Sequence, residues 1–360
     1  MGHTPIAFFS PSEPGVLFGS QNQCDERQPI TLEFLAEGGA NVVYRIHGAD
    51  VPLPAWLSGK LLRLRKEKPF VRPTSEQLVS FSTHFRPLFD PSQTVEQARV
   101  RLDQAVLAAC NDQLRKLEHS GKRQKRKGDH LAHAERFGLL ITDMTPNSDR
   151  EFAIEFKPKW LLQSPNAPVE AVRCRTCALR ARQNAMARAK VEVHARQAVC
   201  PLSLVEGDET ERRIAVERIV RHRHDKLEDN TVVAHRQFVT DRLVEFFRTE
   251  GFAILKELRR HQQSLDPHGI LSCAGEPDER FLRAMTLRDC TLFIKIHLTN
   301  NGLEARLGDL DLKMAEKGKV AKWRNIERSL LDEGWYAGED TDSQAGEVCF
   351  LRRKQDLKRQ

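Results

Sequence analysis

No apolar run in the chain approaches the roughly 18 residues needed to span a bilayer, so no membrane partner is expected. The start, "MGHTPIAFFSPSEPGVLFGS", lacks the positive beginning and long apolar core of a secretory leader. Behind Gly2 stand Pro5 and Ile6, without the Ser or Thr of a myristoylation signal. An intracellular protein is expected, in the nucleus and/or cytoplasm. Cysteine is sparse: eight in 360 residues make no secreted disulfide framework and suit a reducing compartment. Only Cys174 and Cys177 are closely spaced, and one CxxC offers two ligands where a structural zinc site wants four. His194 and Cys200 follow it and could complete a set, but zinc is not expected. Two tyrosines, four tryptophans and no aromatic-interleaved basic stretch count against base stacking, so nucleic acid is not a required partner.

What is present is positive charge. A net +7 suggests an anionic partner, whether nucleic acid, acidic lipid or a polyphosphate. The length suffices for one large domain or two lobes.

Residues 1–29, rich in Pro, Gly and Ser, are expected to be irregular. "ITLEFLAE", "NVVYRI" and "KLLRLRK" then read as strands, the first two joined by a glycine turn. Residues 94–118 carry apolar residues at helical spacing, with Thr94 as N-cap. The basic run "GKRQKRKGDH" reads first as a solvated loop. "FGLLITDM" and "EFAIEFKP" follow as strands, then helices over 176–199 and 210–224. The longest helical pattern is 234–262, ended or kinked at Gly251. "DCTLFIKIHL" and "RLGDLDLK" read as a hairpin, and 319–334 as a final helix. There is no internal repeat. Strands cluster at both ends around a helical middle, which predicts an α+β class.

Four segments carry possible chemistry. The "EGGAN" turn can lie over phosphates, because glycine lets a backbone approach a ligand closely. "EFKPKW" presents Lys157 and Lys159, alternate residues of a strand end that can reach one anion. "LRDC" offers Asp289, a general base or a helix cap. "GDLDLK" places Asp309 and Asp311 on one strand face, suited to Mg²⁺ or simply to solvent. With Arg63 they make a kinase inventory that lacks the HRD and DFG signatures of protein kinases.

Those residues resemble the inositol-pentakisphosphate 2-kinase family, of the fungal type. "EGGANVVYRI", "KLLRLRK", "EFKPKW", "RCRTCALR", "CPLSL", "TLRDCTLFIKI" and "GDLDLK" recur there in this order, over about residues 33–336. The resemblance implies two α+β lobes distantly related to the protein-kinase fold. They would divide as 1–145, with the glycine turn and most ATP contacts, and 146–360, with the inositol phosphate site. It implies transfer of the γ-phosphate of ATP, with Mg²⁺, to the 2-hydroxyl of inositol pentakisphosphate. Gly38, Gly39, Asn41, Val43 and Arg63 would line the nucleotide site, with Thr142, Asp143 and Met144 beside adenine and Glu155 facing the nucleotide. Asp289 matches the catalytic aspartate and Asp309 the metal ligand. Lys157, Lys159 and Lys313 match the lysines gripping inositol phosphate. Arg126, in the basic run, is the nearest match by spacing to a substrate-gripping arginine, and Arg180 and Arg182 are further candidates. The sequence departs from its relatives at Met314, where they often carry Pro; plant members have a zinc site made of a Cys/His cluster in the second lobe, and with no second CxxC here that site is not expected to carry over. A monomer is expected. The alternatives are an inositol polyphosphate 3- or 6-kinase, whose "PxxxDxKxG" segment is absent, and a non-catalytic binder of inositol phosphate or RNA.

Overall fold

The computed structural model describes residues 4, 6–21, 26–49, 52–146, 148–189, 199–224, 230–273, 275–300, 302–316, 318–338 and 348–358. The chain divides into two compact units, 1–87 with 95–143, and 88–94 with 144–360. Both helices and strands are present, an α+β composition.

The first unit contains β1 (Ile6–Ser10), β2 (Glu13–Phe18), β3 (Gln28–Glu37), β4 (Asn41–Gly48), β5 (Lys60–Arg65), α1 (Thr74–His84), β6 (Gln97–Leu102), α2 (Gln104–His119) and β7 (Phe137–Thr142). Its strands close into a barrel in the order β1-β2-β6-β7-β5-β4-β3. Period-two patterning builds the interior: Val42, Tyr44 and Ile46 of β4 and Leu62 and Leu64 of β5 are buried, while the residues between them are not. Val106, Leu107, Cys110 and Leu114 of α2 join the same core.

Two expectations fail here. Residues 1–29 are not wholly irregular, because β1 pairs with both β2 and β3. The helix expected over 94–118 starts instead at Gln104. Val100 and Leu102 are buried and Arg99 and Arg101 exposed, a strand's alternation, and the cap is Asp103, whose carboxylate accepts from the Ala105 N–H at 3.2 Å.

The second unit contains β8 (Glu151–Phe156), α3 (Arg175–Ala189), α4 (Pro201–Val205), α5 (Glu209–His224), α6 (Asn230–Arg248), α7 (Glu250–Leu265), α8 (Glu279–Leu287), β9 (Thr291–His297), β10 (Leu303–Gly308), α9 (Lys319–Asp332) and α10 (Phe350–Lys358). Its sheet is antiparallel in the order β10-β9-β8. The long helix expected over 234–262 is two helices, parted at Thr249 (φ −120°, ψ −107°). Gly251 serves packing instead: a Cβ there would lie 2.5 Å from the Phe246 ring. The last part of the helix expected over 176–199 falls on residues 190–198, outside the described ones.

Candidate active site

Strand register gathers the charged groups of the second unit. Phe156, at the end of β8, pairs with Leu292, and Gly308, at the end of β10, pairs with Thr291. Two strands therefore end beside the place where β9 begins. The residues just beyond those ends, Lys157 and Asp309, meet Asp289, which lies two residues before β9.

Three ammonium groups converge on Asp289. Lys313 Nζ donates to Oδ2 at 2.7 Å, Lys159 Nζ to Oδ1 at 2.9 Å, and Lys157 Nζ to the Asp289 carbonyl at 3.0 Å. Lys157 Nζ is also 3.7 Å from Asp309 Oδ2. Partial burial works against ionising Asp289, but Lys313 and Lys159 outweigh it and hold the carboxyl far below the usual carboxylate range. Asp309 is more open, its side chain 54% exposed, and its Oδ2 accepts from Thr291 Oγ1 at 2.5 Å.

This convergence does not come from strand alternation as the sequence suggested. β8 has ended before Lys157, and Lys159 adopts the left-handed region at φ 58°. Likewise Asp309 and Asp311 stand beyond β10, with Asp309 at φ 56°. Lys159 and Asp309 are the non-glycine residues with positive φ among the described residues, and both belong to this cluster. Such backbone costs roughly 1–2 kcal/mol per residue and persists only where surroundings enforce it.

Those surroundings are visible. The fully buried Gln262 of α7 donates through Nε2 to the carbonyls of Lys159 (2.9 Å) and Leu287 (3.3 Å), while its Oε1 accepts from the Leu161 N–H at 3.0 Å. One amide thus joins the loop carrying Lys159 to the last residue of α8, two residues before Asp289. Next to Lys159, the Trp160 ring is approached by two cations, Arg288 at 3.6 Å and Arg175 at 4.4 Å from its centre. Arg288 is buried and paired with Asp266 at 2.5 Å. Thr286 Oγ1 accepts from the Lys313 N–H at 2.9 Å and so fixes the start of that side chain. Gln262, Trp160 and Arg288 were missed by sequence reasoning; a Gln on the apolar face of a helix is the signal that could have raised the first. Glu155, the last but one residue of β8, is exposed and pairs in register with Phe293.

Arg180 and Arg182, on α3, are not brought to Asp289. Arg180 donates to the Val199 carbonyl at 3.0 Å, and Arg182 holds Glu333 with two contacts of 2.9 and 3.2 Å.

In the first unit the β3–β4 hairpin carries the glycine turn, closed by Gly38 N–H donating to Asn41 O at 2.9 Å. Neither Gly38 nor Gly39 has positive φ, and a Cβ added to either would meet nothing within 4 Å. The turn needs no glycine for its own geometry, so what the two residues provide is an open approach to backbone. A buried charge cluster holds its base. Lys66, with no exposed side-chain surface, donates to Glu37 (2.6 Å), Asp129 (3.1 Å) and the Gly38 carbonyl (2.9 Å). Arg123, from the run read as solvated, is buried and bidentate to Glu37 at 2.8 and 2.7 Å. Arg126 sits half-buried in a short turn over Gln124–Arg126. Val43 pairs with Arg63 across β4 and β5, and the Asn41 amide oxygen, turned toward Arg63, accepts from its Nη2 at 2.5 Å. At the end of β7, Thr142 Oγ1 accepts from the Glu96 N–H and the Asp143 N–H donates to Gly59 O. Met144 is buried and opens the second unit.

A metal held by one exposed carboxylate fits Asp309: Mg²⁺ is usually bound by one or two carboxylates with substrate phosphates and water, not by an all-protein cage. Among the described residues no group of three or more acidic or histidine side chains forms such a cage. The grouping found is four cysteines, Cys174, Cys177, Cys200 and Cys349. His194, weighed as a partner for the CxxC, lies outside the described residues.

The model of a family described as inositol-pentakisphosphate 2-kinase matches residues 34–329. A protein of Yarrowia lipolytica named inositol-pentakisphosphate 2-kinase is 29% identical over 336 residues, covering 90% of this chain and 97% of its own length.

Proposed function

The chain belongs to the inositol-pentakisphosphate 2-kinase family, and from that premise we propose that it moves the γ-phosphoryl group of ATP to the 2-hydroxyl of inositol 1,3,4,5,6-pentakisphosphate, giving the hexakisphosphate. The observation that carries this reading is the convergence of Lys157, Lys159 and Lys313 on Asp289, with Asp309 alongside. In the structure these lysines rest on carboxylates. A polyphosphorylated acceptor offers them better partners, since charge-assisted contacts to phosphate are among the stronger hydrogen bonds.

Asp289 then has the acceptor hydroxyl to orient. A carboxyl held so low is a weak proton acceptor, which suits phosphoryl transfer: the transition state is largely dissociative and asks more for positioning than for a strong base. As the lysines move to phosphates the hold on Asp289 relaxes, and its carboxylate becomes more basic where the proton must be taken. Asp309 would hold Mg²⁺, which when bound neutralises charge on the transferring phosphates. In the first unit the open backbone at Gly38 and Gly39 suits nucleotide phosphates, with Asn41, Val43, Arg63, Thr142 and Asp143 as further contacts. This division, with the acceptor site in residues 144 onward, supports lobes kin to those of protein kinases.

A binder without catalysis is the competing reading, and the retention of both Asp289 and Asp309 in one cluster speaks against it. The test is incubation with Mg·ATP and inositol pentakisphosphate, following formation of the hexakisphosphate. Asp289→Ala should lower turnover by about 10²–10⁴-fold while the protein stays folded and binds ATP. Near wild-type turnover in that variant would remove Asp289 from the role, and absence of product from the wild-type enzyme would remove the activity.

A further inference from the structure

The glycine turn of the first unit is made of residues that do little to fix its peptide planes. Gly38 and Gly39 are adjacent, neither has positive φ, and a side chain on either would meet nothing within 4 Å. Without a Cβ their peptides rotate at little cost. Whether such a turn shows N–H groups or carbonyls to a ligand is decided by what holds it from outside.

One residue does most of the holding. Lys66, which follows β5, donates its backbone N–H to the Ala40 carbonyl at 2.8 Å and its Nζ to the Gly38 carbonyl at 2.9 Å. The Gly38 N–H is taken up by the Asn41 carbonyl at 2.9 Å. Two carbonyls of the turn are thus engaged by a single residue, whereas the N–H groups of Gly39 and Ala40 have no partner among the described residues. Consecutive free N–H groups form a concavity that suits an anion. The Lys66 side chain has no exposed surface, and Glu37 at 2.6 Å and Asp129 at 3.1 Å complete its set of acceptors. A charge buried so completely is costly unless its partners are in place, so these acceptors define one position for the ammonium.

We infer that Lys66 is a positioning residue of the nucleotide site: it draws the Gly38 and Ala40 carbonyls away from phosphate and leaves the Gly39 and Ala40 N–H groups to receive it. The inference rests on the proposed placing of ATP phosphates at this turn, and Lys66, being buried, acts only through the turn. Lys66→Met separates this role from charge balance. Without the ammonium, Asp129 keeps Lys68 at 2.7 Å and Glu37 keeps Arg123 at 2.7 Å. The backbone bond to Ala40 also survives, and the Gly38 peptide becomes free to rotate.

The full chain carrying Lys66→Met should bind Mg·ATP roughly tenfold more weakly, about the worth of one charge-assisted contact to phosphate. Adenosine, which has no phosphate, and inositol pentakisphosphate should each bind within about twofold of their wild-type affinity. Lys68→Met takes an ammonium from the same cluster without touching a carbonyl of the turn, and should leave Mg·ATP affinity unchanged. Parallel losses for ATP and adenosine, or a Lys68→Met loss as large as that of Lys66→Met, would make the lysine a general support of the barrel and overturn the inference. Unchanged Mg·ATP affinity in Lys66→Met would overturn it as well. Because a buried-charge variant can fail to fold, the wild-type protein supplies a second measurement. By amide NMR, the Gly39 and Ala40 N–H groups should exchange fast with water, then shift and become protected on saturation with Mg·ATP. Bound Mg·ATP that leaves both amides unmoved would overturn the inference while hexakisphosphate formation stands, whereas absence of that product would strike the reading beneath it.

Discussion

Removal of one lysine ammonium from the Asp289 cluster should separate acceptor recognition from nucleotide recognition. Take Lys313→Ala. A charge-assisted contact to phosphate is worth about 1.5–3 kcal/mol. Lys313 is, however, already paired with Asp289 at 2.7 Å, and both side chains are about a third exposed (32% and 40%). Pairs that open contribute about 0–1 kcal/mol, and this much is given up when the lysine turns to substrate. The net loss is then about 0.5–3 kcal/mol, or about two- to 160-fold in KM for inositol pentakisphosphate. Lys159→Ala, at 2.9 Å from the same carboxylate, should behave alike, and Lys157→Ala should fall in the same range. KM for ATP should change less than about twofold. Lys354→Ala is the control for general charge: its side chain is 51% exposed, its ammonium is 3.5 Å from Glu206, and it should alter neither constant. Steady-state kinetics with each substrate varied in turn make the measurement. Equal losses for ATP and acceptor, or a Lys354 effect as large as that of Lys313, would refute the reasoning and leave only nonspecific attraction.

Three further outcomes follow from the geometry. Asp309→Asn should weaken Mg²⁺-dependent ATP binding more than binding of inositol phosphate, and unchanged ATP affinity by titration calorimetry with Mg²⁺ present would take the metal away from Asp309. Lys159→Gly and Lys159→Ala both remove the ammonium but differ in backbone strain, so the glycine variant should be the more stable by about 1 kcal/mol in urea denaturation; a less stable glycine variant would mean that the φ of 58° costs nothing. Asp289 has a folded-state pKa lowered below its unfolded value, so its contribution to stability is fully present above about pH 4 and disappears as pH falls through the lower, folded-state value. The gap in urea midpoint between wild type and Asp289→Asn should be flat from about pH 8 to 5 and narrow below about pH 4, and a gap closing between pH 5 and 7 would contradict it.

Much of the site was legible in the sequence because its parts sit at strand ends. The β9–β10 hairpin could be read from alternation, and with it the neighbourhood of Asp289 and Asp309. The β3–β4 hairpin announced its glycine turn in the same way. What could not be read depends on tertiary placement. Nothing in the residue type says that Lys159 and Asp309 adopt left-handed backbone, so strand periodicity was carried one step too far at both. Arg123 looked solvated within a basic run, yet burial beside Glu37 makes it a support of the turn. Residues 94–102 hold apolar positions compatible with either period, and pairing with β7 decided for the strand. Arg180 and Arg182 sit on a helix whose facing partners, Val199 and Glu333, no local pattern identifies.

The amide of Gln262 has a consequence for motion. Because it holds the carbonyls of Lys159 and of Leu287, the last residue of α8, at once, displacement of either segment should be transmitted to the other, so that the two are expected to move in phase. The separation between Lys159 and Asp289 is then steadier than the position of either. Gln262→Leu would keep the volume but cut the coupling, and the two segments would fluctuate independently. Backbone amide relaxation at residues 157–161 and 287–291 would reveal that change as uncorrelated mobility in a fold otherwise intact.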